Sequence, residues 1–466
     1  MAFTEKYVKV ASSAWVNAAA YALDAQVVGS NGLNYYCILA HTAETGVKGR
    51  PTDGTNWATY WAVSDGTTEV RAWTFAEMIA AAPAVGTRVN IKVGSYSVGA
   101  TTLLTGTAVD PYCLRGYHTT IGDLDNQGRV ATTGLVDADN ATTPFPDIEI
   151  TGLWGGGSWT IFQNLDIVGS VNGTLIGTTS TDGQTFLNCR LVSSGNGANA
   201  RTLIGNDRLS LLGSDFTCTG ADHLSVVDID KLCYINCCRF KTTDTTACVT
   251  MMSAGIVSGS VFWGNDASTG LSLIFTTEWM TIVQSCTFQD IGTAVEFPAP
   301  AGTNFVFLIN NIATDNVKWF DNLYQATDDV VVIEYGNRQR DNVTPRTGVF
   351  QGALCKEVTT AGTPASDYVD AATGDFQLLT GNPGKAAGMM PHMDIGALQR
   401  VEPVPVAAAS VLSTVEIDTG TGGVEHVHGT YHVAGVDEVL DGVGFGAGSA
   451  ETGTVVLPAA ADVKLN

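Results

Sequence analysis

FQNLDI (Phe162–Ile167), FLNCRL (Phe186–Leu191), LLGSDF (Leu211–Phe216), INCCRF (Ile235–Phe240), VSGSVF (Val257–Phe262), VQSCTF (Val283–Phe288) and FLINNI (Phe307–Ile312) follow one another along the chain. Each begins and ends on an apolar residue. The final positions, 167, 191, 216, 240, 262, 288 and 312, are separated by 24, 25, 24, 22, 26 and 24 residues. Two residues before the last apolar position stand Leu165, Cys189, Ser214, Cys238, Ser260, Cys286 and Asn310. One residue earlier stand Asn164, Asn188, Gly213, Cys237, Gly259, Ser285 and Ile309. Small and turn-forming residues at one fixed place in every unit are what a sharp bend between two short strands requires. A unit of this length is too short for a strand with a crossover helix. It fits one coil of a solenoid whose strands stack at roughly 4.8 Å, with like residues above like residues. The expected fold is therefore all-β, a right-handed parallel β-helix running at least from Thr151 to Ile312.

Composition agrees with that class. The 466 residues are 45% hydrophobic and only 15% charged, with 52 glycines, which suits many short strands and tight turns. Against 23 Lys and Arg stand 46 Asp and Glu, a formal charge of −23. That surface repels phosphate backbones and anionic lipid, so neither nucleic acid nor membrane insertion is expected. The first residues, MAFTEKYVKVASSAWV, lack a basic segment followed by an apolar core, so no signal peptide is expected and the chain should fold in a cytoplasm. In that reducing compartment the ten cysteines read as packing thiols. Cys189, Cys238 and Cys286 share a rung position two coils apart, roughly 10 Å, beyond the reach of a disulfide. Along a strand, neighbouring Cys237 and Cys238 should point to opposite faces. Cys37, Cys113 and Cys355 lie outside this ladder and are the ones open to an intermolecular bond.

Outside the repeat, AWTFAEMIAAAPAVGTRVNIKVGSYSV (Ala72–Val98) carries helical spacing from Phe75 to Ala82, then a strand pattern. It resembles the start of pectate-lyase-type β-helices, where a short helix caps the first coil, and LRGYHTTIGDLDNQGRV (Leu114–Val130) continues the likeness. GDFQLLTGNPGKAAGMMPHMDIGALQR (Gly374–Arg400) is similar to the closing coil of the same superfamily, through Asp375–Phe376, Asn382–Pro383 and Asp394–Ala397. The combination resembles phage structural proteins. Three parts follow: residues 1–71, a strand near Tyr7–Val10 with an inserted module; residues 72–400, the β-helix; and residues 401–466, a Pro- and Ala-rich linker with short β repeats. Those repeats start at Val411–Leu412 and Val439–Leu440, are too small to bury a core alone, and imply packing on a partner or on identical chains.

The inserted module, NYYCILAHTAETGVKGRPTDGTNWATYW (Asn34–Trp61), is similar to chitin-type carbohydrate-binding modules found in phage tail proteins. Tyr36, Trp57, Tyr60 and Trp61 are its candidate sugar contacts, because flat aromatic faces stack on sugar rings. The competing reading makes Trp57 and Trp61 the module's own core, since so small a domain has little else to bury.

A β-helix also invites polysaccharide cleavage, which needs paired carboxylates for hydrolysis. Candidate acids are Asp228, Asp230 and Glu278, with Asp222, Asp266, Asp290 and Glu296 further off and His223, Arg208 and Lys231 nearby in sequence. Asp228 and Asp230, two apart, would share a strand face, although carboxylates also collect on solvated faces of any acidic chain. His426 and His428, with His432, form the one metal-like cluster. A His-x-His element of this kind can bind a transition metal where three chains meet, and is otherwise an exposed polar strand. No other cofactor is implied. The expected role is structural and adhesive: a trimeric protein of the surface of a tailed-phage virion (fibre, spike or capsid decoration) meeting other virion proteins and glycans. The alternative is a depolymerase of host polysaccharide.

Overall fold

In the computed structural model, residues 3–379 are described apart from short internal stretches such as 136–144 and 359–366, and beyond them only Asn382 and Gly396. Contacts divide the chain into Met1–Gln399 and Arg400–Asn466. The second unit, with His426, His428, His432 and the C-terminal repeats, lies outside the described residues.

Three parallel sheets form the solenoid of the first unit, successive coils adding a strand to each sheet. The first sheet has 11 strands from Thr4–Val8 to Val330–Tyr335, the second 11 from Ser95–Val98 to Lys356–Val358, and the third 10 from Thr101–Leu103 to Thr344–Thr347. Strands of successive coils pair in parallel, for instance Phe162 with Phe186 and Ile167 with Leu191. The chain is a right-handed parallel β-helix, the hand that parallel crossovers adopt almost without exception.

Side chains alternate along each strand, so one column of every sheet faces the axis. In the first sheet the inward column reads Phe162, Phe186, Leu211, Ile235, Val257, Val283 and Leu308. In the second it reads Ile167, Leu191, Phe216, Phe240, Phe262, Phe288 and Ala313. All are buried. Ring planes lie nearly parallel, with centroids 5.4 Å apart for Phe216–Phe240, 5.2 Å for Phe240–Phe262 and 4.7 Å for Phe262–Phe288. Burying each ring contributes roughly 1.5–3 kcal/mol.

Between the two columns the chain bends through a left-handed residue: Asn164, Asn188, Gly213, Cys237, Gly259, Ser285 and Asn310, with φ between 51° and 57°. The next residue turns inward. Ser214 and Ser260 accept the backbone N–H of Cys189 and Cys238 in the coil before at 3.0 and 3.1 Å, and Asn311 and Asn337 continue the same ladder. The six earlier segments match the sequence expectation. The seventh is corrected by one residue. Leu308 and Ala313 face inward in place of Phe307 and Ile312, and Asn310 takes the bend in place of Ile309. Either register puts apolar residues at both ends, and asparagine's tolerance of the left-handed region decides between them.

Ile312 is buried nonetheless, on the outside of the stack. It packs with Val261, Tyr368, Phe376 and Leu378. Tyr368–Asp370 and Asp375–Leu378 pair antiparallel as a separate ribbon rather than closing the stack with a last coil. This strap is held by Tyr368–Thr314 at 3.1 Å, by Asn382 donating to Asp367 at 2.7 Å and by Arg338 at 3.8 Å from Asp367. Gly396 donates its N–H to Asn310 at 2.9 Å, with φ of 107° and no room for a Cβ, which would lie 2.7 Å from Ile312. A glycine is required there.

At the other end, the strand Thr4–Val8 belongs to the solenoid itself, pairing in parallel with Thr87–Lys92. The solenoid therefore begins well before residue 72, and residues 11–66 leave it and return. The helix Phe75–Ala81 starts with a capping box: Thr74 accepts from the Glu77 backbone at 3.2 Å, and Glu77 accepts from the Thr74 backbone. Phe75 and Met78 cover the first coil beside Trp154.

Candidate functional site

Two regions carry side chains suited to meeting a ligand. The first is the returning module. Gln26–Val28, Asn34–Cys37 and Trp61–Val63 form a three-stranded antiparallel sheet, and Ala20–Tyr21 pairs with His41–Thr42. Val27, Tyr35, Cys37 and Trp61 are its core. Trp61 is 1% exposed, held edge-on between Tyr21 at 5.0 Å and His41 at 5.2 Å. It has no face left for a sugar, and its place among the sugar contacts is corrected to the core. The cause is strand alternation, which sends Trp61 inward against Cys37.

Trp57 and Tyr60, on the single turn Trp57–Tyr60, are half-buried. Each touches the module, Trp57 in an edge-to-face pair with Tyr35 at 5.6 Å and Tyr60 tilted against His41 at 4.6 Å. Tyr36 is half-exposed under the Arg71 guanidinium, 4.6 Å from its ring. Trp15, which sequence reasoning did not single out, also packs half-buried on this core. No nearby periodicity marks it, so only its contacts identify it. The module is fixed to the rod through Glu77, whose carboxylate accepts the Asn34 N–H at 2.7 Å while it caps the helix. Glu77 thus holds two elements in one geometry.

The second region lies on the outer face of the third sheet. Arg201, on Ala200–Gly205, bonds through Nε to Asp228 of His223–Ile229 at 2.9 Å. Asp230 follows just beyond the strand end, so its direction is not set by strand alternation. Burial pushes the Asp228 carboxyl above the usual carboxylate range; Arg201 pulls it back and Asp230 adds to the rise. Asp230 is raised as well, by burial first, with Arg201 and Lys231 opposing. The second oxygen of Asp228 is buried without a hydrogen-bond partner. A desolvated carboxyl of this kind favours its proton.

The other candidate acids are dispersed. Asp228, Thr250, Ser272 and Glu296 are successive register partners, so three coils, roughly 14 Å, separate the two acids. That exceeds the carboxylate separations of either hydrolytic geometry, about 5–9.5 Å. Asp290 occupies a left-handed bend and Arg208 lies 4.0 Å from Asp207. Glu278, Asp222 and Asp266 lie outside the described residues, as does Cys355. Among the described residues, no three His, Cys, Asp or Glu gather as a metal site, and no helix is long and apolar enough to cross a membrane.

No family model and no curated protein matches the sequence. Among solved structures the chain is similar to pectate lyase Pel9A, with a TM-score of 0.40 and 14% identity over 72% of this chain and 93% of that one.

Proposed function

We propose that the chain is a non-enzymatic structural and adhesive protein of a tailed-phage virion surface, homotrimeric, carrying a glycan-directed aromatic head on a rigid β-helical rod. The observation that carries this reading is the anchorage of the module. Both of its ends return to the first coil, Glu77 ties it to the cap helix, and Tyr36, Trp57 and Tyr60 keep part of their rings accessible. A rod that holds such a head rigidly limits the ordering cost of binding, and several copies raise avidity without new contacts. Its neighbours would be other virion proteins and cell-surface or environmental glycans. A transition metal at His426 and His428, completed by three chains, belongs to the same proposal, and metal analysis of the purified oligomer tests it.

Binding to immobilised chitin-type and host-surface polysaccharides tests the adhesive reading. Trp57→Ala or Tyr60→Ala should weaken retention roughly five- to thirtyfold, in line with losing one stacked ring of roughly 1–2 kcal/mol. Unchanged retention by a variant with wild-type circular dichroism would sink the sugar site. Immunogold labelling of whole particles tests the location.

Depolymerase action is the second reading, favoured by the raised carboxyl of Asp228, the state a general acid needs. Against it stand the Arg201 ion pair and the 6% exposure of Asp228. Shortened polysaccharide after incubation with wild type, but not with Asp228→Asn, would favour this reading over the first.

A further inference from the structure

One outward column of the first sheet changes character along the rod. From the first coil onward it reads Glu5, Arg88, Cys113, Ile161, Thr185, Ser210, Tyr234, Ile256, Ile282, Phe307 and Ile333. It opens on an ion pair, Arg88 to Glu5 at 3.5 Å. It passes through hydroxyls and ends in aliphatic and aromatic side chains. The flanking column is equally uncharged over the same coils, running Asn236, Ser258, Gln284, Ile309 and Tyr335. Met280, Phe305 and Val331 widen the strip on the other side, and Met280 is 51% and Phe305 43% exposed.

This is not the ordinary outside of the solenoid. The matching outward column of the second sheet alternates Asp166, Arg190, Asp215 and Arg239. Where that column turns apolar, at Val261 and Ile312, the strap covers it. On the first sheet Tyr234, Ile256, Met280, Phe305, Val331 and Ile333 are exposed, and Ile282 and Phe307 between them are half-buried. From Tyr234 to Ile333 the strip spans five strands, roughly 20 Å, and it is two to three side chains wide, roughly 14 Å. That flat footprint of about 300 Å² matches the largest patch of an ordinary monomer, which is often functional. A stable pair buries about 800 Å² per partner, so contact must continue along the uncharged column through Ser210 and Thr185.

The occupant must be flat, uncharged and apolar along a rod-shaped strip. A sugar would find ring faces at Tyr234, Phe305 and Phe307. It would find hydrogen-bonding groups only along one side, at Asn236, Ser258 and Gln284, beside an aliphatic row of Ile256, Ile282 and Ile333 that offers none. A basic partner would be drawn to the acidic faces instead. The strip itself meets every requirement. Moreover, chains of net charge −23 repel one another least where neither carries charge. We propose that this strip is the surface through which copies of the chain associate, solenoid beside solenoid, the apolar column of one against that of the next. The inference rests on the reading of the chain as a homo-oligomer, not on where that oligomer sits.

Sedimentation velocity and native mass spectrometry of the full chain provide the test. Wild type should be oligomeric at micromolar concentration. Ile282→Lys should weaken association a hundredfold or more while circular dichroism and melting stay unchanged, because the side chain points away from the core. Mixing Ile282→Lys with Ile282→Glu protein should restore oligomers containing both. Should lysine disturb folding, Ile256→Ser with Phe307→Ser, which adds no charge, should give the same weakening. A wild type that is monomeric throughout overturns both the oligomer and the strip. A folded Ile282→Lys protein that remains fully oligomeric overturns the strip alone and leaves the oligomer to another surface. A monomeric wild type whose polysaccharide retention is lost in Ile282→Lys would reassign the strip to sugar.

Discussion

At the scale of single residues, the bends explain why the repeat contains what it does. A left-handed φ costs most side chains roughly 1–2 kcal/mol, and glycine and asparagine least. Glycine and asparagine fill five of the seven bends, and Cys237 with Ser285 are the exceptions. Cys237→Asn should therefore raise stability by about 0.5–1 kcal/mol, read as a higher urea midpoint at constant slope; a lower midpoint would mean that the thiol contributes more than the strain removes. Cys237 is also the one exposed thiol among the described cysteines. Burial pushes Cys238 and Cys286 up to about 12, and Cys237 upward to a lesser degree. Native protein should be modified by maleimide at Cys237, faster as pH rises and more thiolate forms, whereas Cys189, Cys238 and Cys286 should react only on unfolding. Rapid native labelling of Cys238 would contradict the inward ladder. The opposite directions of these two cysteines agree with the sequence expectation, but the left-handed bend at Cys237 sets them and not strand alternation, since both lie between Cys233–Asn236 and Arg239–Thr242.

At the scale of elements, stability resides in stacked rungs. Phe240 lies between Phe216 and Phe262, so Phe240→Ala leaves a cavity bounded by two rings and should cost about 3–5 kcal/mol. Phe240→Leu should cost distinctly less. Similar losses for both, measured by chemical denaturation, would argue that the rung is loosely packed. A second element is the turn His118–Asp123, where Asp123 accepts backbone N–H groups of His118, Thr119 and Thr120 at 2.9, 2.6 and 2.9 Å. Burial pushes its carboxyl up, but those bonds and His118 together hold it below the usual range. A depressed carboxyl contributes stability above its ordinary value near 3.9, and that contribution is lost as pH falls through the folded-state value. Amide-exchange protection of Thr119 and Thr120 should therefore persist at pH 5 and collapse below about pH 3.9, and Asp123→Asn should lose it at both. Protection that is indifferent to pH would place the turn's stability elsewhere. Side chain to backbone bonds of this kind depend on loop closure, and nothing in the spacing of Leu114–Val130 announced them.

For the whole molecule, the decisive distinction is between two fates of an apolar outward position: covered by the strap, as Ile312 is, or exposed, as Tyr234, Ile256 and Ile333 are. Sequence reasoning placed Phe307 and Ile312 in the core because they are apolar at the right interval. One residue of slip reversed both, since strand faces alternate and every shift by one exchanges inside for outside. Trp61 misled for a related reason: three aromatics within five residues look like a surface for sugar, yet the direction of each ring follows from the strand or turn that holds it.

The sequence alone determined the solenoid and the place of its bends, because a period of about 24 residues with apolar rungs has one economical way to bury itself. It determined the cap helix as well, since the apolar spacing from Phe75 to Ala82 is local; the Thr74–Glu77 capping box that starts it came from the structure. Tertiary structure decided the rest. The outside packing of Tyr368, Phe376 and Leu378, the desolvation of Asp228 beside Arg201 and the exposed strip each depend on segments far apart in the chain. Such contacts leave no periodic trace, because they are made once and not repeated.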